Sequence, residues 1–82
     1  MTGHASDSRV AEIQEALWAV GEQYLLPLTV QQQVTAARDL ADRETRRTLT
    51  RDMAQSALLD AGVTPPPGYA RSVATVLKRA GA

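Results

Sequence analysis

Between Val10 and Tyr24 the apolar positions fall at Val10, Ile13, Leu17, Val20 and Tyr24, in steps of three and four residues. That spacing lines one side of an α-helix and predicts a helix over this stretch. Trp18 lies beside the stripe, with Ala11 and Leu25 seven residues to either side. The apolar face is therefore wider than a two-position seam, and it can meet the chain's own core and a partner at once. Asp7 or Ser8 is placed to cap the helix start. Leu25-Leu26-Pro27-Leu28 ends it, because Pro27 has no amide hydrogen to donate and pushes Leu26 out of helical geometry.

Thr29-Val30-Gln31-Gln32 restarts the periodicity in the pattern of a capping box, with Gln32 able to reach back to the cap residue. Val30, Val34, Ala37, Leu40 and Ala41 make the expected buried face of this second helix. Its far end, from Arg38 to Arg47, alternates acids with arginine and is expected to be solvated, with the stop left open between residues 42 and 47. Leu49-Thr50 repeats the Leu28-Thr29 start. Met53, Ala57 and Leu58 then give a third stripe, flanked by Ala54 and Ala61, with Asp52 favourably placed in the first turn. Gly62 is a ready left-handed stop, after which Val63 is expected to enter the core. Thr64-Pro65-Pro66-Pro67-Gly68 is stiff and non-helical, and a fourth stripe follows at Tyr69, Val73, Val76, Leu77 and Ala80, closed by Gly81. No segment reads as a strand. The pattern predicts an all-α fold, a small bundle of four helices ending in a helix-turn-helix-like pair. Residues 1–6 are expected to form a disordered head and residues 7–82 a single helical domain.

Composition makes this core thin. Of 82 residues 44% are hydrophobic, but fourteen are alanine, and there is one Trp, two Tyr and no Phe. A chain near the lower size limit for an independent core is often completed by a second copy, so a homodimer is expected, with Ile13, Leu17, Trp18 and Leu25 of the first helix at its interface. The formal net charge of zero argues against an indiscriminate nucleic-acid coat. The charge is nonetheless uneven: residues 1–37 carry −3, residues 38–51 +2, residues 52–62 −2 and residues 63–82 +3. Without cysteine there is no disulfide framework and no thiolate site. No apolar run approaches a membrane span, and the N-terminus lacks the layout of a secretion signal, so a cytoplasmic protein without membrane contact is expected. Eight Arg against one Lys, with abundant Ala, suggests GC-rich coding, as in a bacterium or its phage.

Catalytic chemistry finds little to work with. The only histidine, His4, lies in the head, where no neighbour can orient it. Glu12 and Glu15 share one face of the first helix, and Asp39 and Asp42 one face of the second. A four-helix carboxylate metal site needs a Glu-x-x-His on two helices, and the chain has none. Gly62 and Gly68 flank prolines, which offer no amides to a phosphate. No enzymatic activity, metal or cofactor is expected.

The C-terminal pair carries the remaining signal. Leu49-Thr50 starts a helix, Met53 to Leu59 forms an Ala-rich support, Gly62-Val63 turns, Tyr69 to Leu77 forms the next helix, and Leu77-Lys78-Arg79-Ala80-Gly81 closes it. In that layout residues 49–82 resemble the helix-turn-helix half of winged-helix DNA-binding domains, without the wing. The resemblance implies double-stranded DNA as ligand and transcription regulation as role. With Tyr69, Val73, Val76 and Leu77 inward, the outward face presents Arg71, Ser72, Thr75, Lys78 and Arg79. Those side chains can donate to phosphates, and Arg71, Ser72 and Thr75 sit where a recognition helix meets base edges. A second expectation stands beside it. Trp18, Leu25 and Leu26 are residues of the kind that anchor interfaces, as in a small phage accessory protein, an antitoxin or a docking domain that binds a host protein.

Overall fold

A computed structural model describes residues 7–80, with Ala80 as backbone only. It contains four helices, α1 (Asp7–Gln23), α2 (Val30–Glu44), α3 (Arg51–Asp60) and α4 (Tyr69–Ala80), and no strand among the described residues. Each helix packs on the next, and α4 returns to α1, so the four close a ring around one core. The fold is a small all-α bundle. The expected disordered head, the Gly81 stop and the side chain of Ala80 lie outside the described residues.

The core is built from the expected stripes. Ile13, Leu17 and Val20 from α1 meet Leu40 from α2, Leu58 from α3, and Tyr69, Val73 and Leu77 from α4. Alanines at 36, 37, 41, 54, 57 and 70 are buried between them. Small side chains at these positions let the helix backbones approach closely, which is how so few large residues fill an interior. Leu49 and Val63, one before α3 and one after it, fold inward and plug the ends.

Local chemistry sets each boundary. Thr29 Oγ1 accepts from the Gln32 amide at 3.0 Å, while Gln32 Oε1 accepts from the Thr29 amide at 3.0 Å, which completes the capping box. The buried Gln33 donates its side-chain amide to the Leu28 carbonyl at 3.2 Å, stitching the loop to α2. α2 ends at Glu44, where Thr45 caps it by donating its hydroxyl to the Asp42 carbonyl at 2.6 Å. Thr50 Oγ1 accepts from the Met53 amide at 3.3 Å and starts α3.

Two helices end in the same motif with different residues. After α3, Gly62 is left-handed (φ 84°), and the Val63 amide donates to the Leu58 carbonyl at 2.9 Å while Gly62 donates to Leu59 at 3.0 Å. After α1, Leu26 donates to Gly21 at 2.8 Å and Leu25 to Glu22 at 3.3 Å. These are Schellman closures, but the left-handed position of α1 holds Leu25, at φ 54°.

Four details of the structure differ from expectation. Val30, placed on the buried face of α2, is 69% exposed, because it occupies the first helical turn beyond the packed region. Val76, expected inward, is 42% exposed, since the buried face of α4 is rotated to take in Ala70 and Ala74. Asp7 and Ser8, expected as caps, lie within α1. The Arg38–Arg47 stretch is not simply solvated. Arg9 of α1 reaches across to clasp Glu44 through both carboxylate oxygens, with the Nη2–Oε2 bond at 2.9 Å, and both side chains are four-fifths covered. Arg43 bridges Asp39 at 3.0 Å and Asp60 of α3 at 2.8 Å.

Candidate binding surfaces

Tyr69 fixes the relation between α4 and α1. Its side chain is fully buried, and its hydroxyl donates to the Leu17 carbonyl at 2.6 Å. Burial pushes its pKa up to about 12, because the interior disfavours the phenolate. Tyr24, just past α1, meets the Tyr69 ring edge-on with centroids 5.8 Å apart. The Tyr24 hydroxyl also shares a 3.0 Å hydrogen bond with the Ser72 hydroxyl. Gly68 is left-handed (φ 87°), and a Cβ there would come within 3.0 Å of the Tyr24 hydroxyl.

These contacts decide what α4 presents. Arg71, Thr75, Lys78 and Arg79 are exposed as expected. Ser72 is half-buried and tied to Tyr24, and Thr75 donates its hydroxyl to the Arg71 carbonyl at 2.9 Å. Both hydroxyls expected at base edges are thus engaged within the chain. Arg71, Lys78 and Arg79 form no ion pair with a described residue. Lys78 and Arg79 lie in the last turn of α4, where a helix favours cations whatever the function. Arg71 instead lies in the first turn, in a groove of about 380 Å³ shared with Arg51, Gln55 and the three prolines.

The interface residues expected on α1 divide into two pairs. Ile13 and Leu17 are 0% and 1% exposed, so the chain's own core consumes them and neither is available to a partner. Trp18 is 53% exposed and Leu25 89%. With Leu26, Pro27 and Leu28 these two line an open groove of about 450 Å³ at the C-terminal end of α1, with Glu22 at its edge. A smaller groove of about 300 Å³ lies between α1 and α4, where Val76 faces Ala19 and Glu15.

The acid pairs weighed as metal ligands take structural or solvent positions. Asp39 and Asp42 bind Arg43 and Arg46 of their own helix, and Glu12 stands 3.6 Å from Arg9. Among the described residues no group of three metal-ligating side chains comes together, and no helix is long and apolar enough to cross a membrane. His4 lies outside the described residues. Compared with protein-family models, curated proteins and solved structures, the chain matches none.

Proposed function

We propose that this protein is a small protein-interaction module, not an enzyme, and that it docks a partner on the surface formed by Trp18 and Leu25. One observation carries this reading: two large apolar side chains stand in solvent beside an apolar groove, although the chain has few such residues to spare. Large aromatic and aliphatic anchors next to a concave surface are what binding hot spots are made of. Trp18→Gln combined with Leu25→Asn tests it. Asn tolerates the left-handed backbone, so the double variant keeps the fold and its circular dichroism. Affinity capture with the wild-type chain, repeated with the variant, is expected to lose its specific protein partner. A partner retained by the variant overturns the reading.

A second reading is favoured by a separate observation. Arg71, Lys78 and Arg79 project from one face of α4 with no carboxylate against them among the described residues, which suits contact with a double-stranded DNA backbone in a transcription regulator. With both neighbouring hydroxyls engaged, this face offers charge more than sequence readout. Retention on immobilised duplex DNA that falls steeply with salt, and is lost in Arg71→Glu/Lys78→Glu, is the expected result if α4 touches DNA. Retention unchanged by the substitutions removes it.

A further inference from the structure

We infer that the groove at the end of α1 accepts a basic amphipathic helix of a partner protein. One large apolar side chain would sit between Trp18 and Leu25, and lysines or arginines would face Glu15 and Glu22. This rests on the docking reading of the same surface and names the chemistry of the partner.

Leu25 provides the first argument. The left-handed position of a Schellman closure belongs to glycine for steric reasons, and α3 closes with Gly62 at that position. α1 carries a leucine there instead, with a side chain 89% exposed that gains little from its own chain. A strained backbone combined with an unburied apolar side chain is explained when the side chain is buried by something else.

Charge gives the second argument. Glu15 and Glu22 lie three residues before and four residues after Trp18, so they share its side of the helix. Both are exposed, and neither pairs with a described cation. The one base on α1, Arg9, is committed to Glu44 and Glu12 at the other end of the helix. Glu22 lines the groove itself, and Glu15 stands one turn before Trp18 along α1, beside the smaller α1–α4 groove. A helix laid along this side of α1 therefore meets unneutralised carboxylates, which complement a cationic partner and repel phosphate. Secondary structure follows from the host: the described residues hold no strand, so there is no sheet edge to extend. An apolar groove in a helical bundle takes helix anchors spaced at three and four residues.

Trp18 is the only tryptophan in the chain, so it reports directly on the groove. Three synthetic amphipathic peptides of about 14 residues, roughly four helical turns, carry leucine on one face and lysine, glutamine or glutamate on the other. Titrated into the full-length protein, the lysine peptide is expected to move Trp18 emission to shorter wavelength in a saturable, salt-weakened manner. The glutamate peptide is expected to bind about tenfold or more weaker. Leu25→Gly is expected to raise the melting temperature and still lower the affinity for the lysine peptide. Equal response to the three peptides overturns the charge assignment while leaving the docking reading in place. No response to any of them overturns the helix partner, and the docking reading is then judged by the Trp18/Leu25 capture experiment. A shift in Trp18 emission without peptide, accompanied by doubling of the 8.8 kDa mass in sedimentation, shows a second copy in the groove and also overturns the inference.

Discussion

Tyr69 shows how one side chain can set the angle between two helices. Its position on an apolar stripe marked it as a core residue, but its hydrogen bond to Leu17 depends on where α1 lies and has no signature in sequence. Tyr69→Phe removes that bond and is expected to cost about 1 kcal/mol, measured by urea unfolding at neutral pH. The same residue sets an alkaline limit. An unfolded tyrosine ionises near pH 10, whereas the buried Tyr69 holds its proton to about pH 12. Above about pH 10 the unfolded state therefore binds fewer protons than the native state, and stability falls as pH rises. The contribution is fully present below about pH 10 and is lost through the window up to about pH 12. Tyr69→Phe should flatten that part of the stability profile relative to the wild type, and an unchanged slope would show that other groups govern it. Gly68 makes a second case at this scale. Its φ of 87° and the Tyr24 hydroxyl 3.0 Å from any added Cβ predict that Gly68→Ala costs about 1–2 kcal/mol from backbone strain alone, seen as a lowered melting temperature.

Among the elements, the starts and stops that use side-chain chemistry next in sequence were the most legible. Thr29 with Gln32, Thr50, and Gly62 with Val63 all act where local pattern put them, because capping involves residues three or four apart. The end of α1 was legible only in part. Pro27 marked it, but nothing near Leu25 indicated a left-handed leucine, since that conformation is settled by the closure hydrogen bonds and by where Leu26 and Leu28 pack. The Arg9–Glu44 clasp was missed for a related reason: its partners are 35 residues apart, beyond any periodicity. A largely covered bidentate pair between two helices is worth more than a surface ion pair. Glu44→Gln is expected to destabilise the protein by about 1 kcal/mol, with the loss smaller at high salt. An equal loss at low and high salt would attribute it to packing.

For the molecule as a whole, the thin composition suggested a core that needs a partner, and the tertiary structure modifies that picture. The four helices close a ring with a radius of gyration of 11.4 Å, close to the value of about 12 Å for a packed chain of this length. Ile13 and Leu17 are spent inside it. The free protein is therefore expected to sediment at 8.8 kDa at micromolar concentration. A dimer under those conditions would overturn that expectation and point to Trp18 and Leu25, the exposed half of the expected interface. Two exposed regions differ in charge: Glu15 and Glu22 stand near Trp18 and Leu25 at the end of α1, whereas Arg71, Lys78 and Arg79 stand on α4 with no ion-pair partner among the described residues. Net neutrality hides this division, which appears only when the charges are placed on faces.

The sequence alone determined the helix count, three of the four helix starts, and most of the inward stripes. Each of these follows from interactions within one or two turns, and those interactions are written in the local order of residues. The tertiary structure alone decided which outward residues stay available. Whether Ser72 faces solvent or Tyr24, whether Ile13 meets a partner or Leu40, and whether Leu25 is covered or bare depend on the angles at which helices cross. Those angles come from close packing across the whole interior, and no single stretch of the chain contains them.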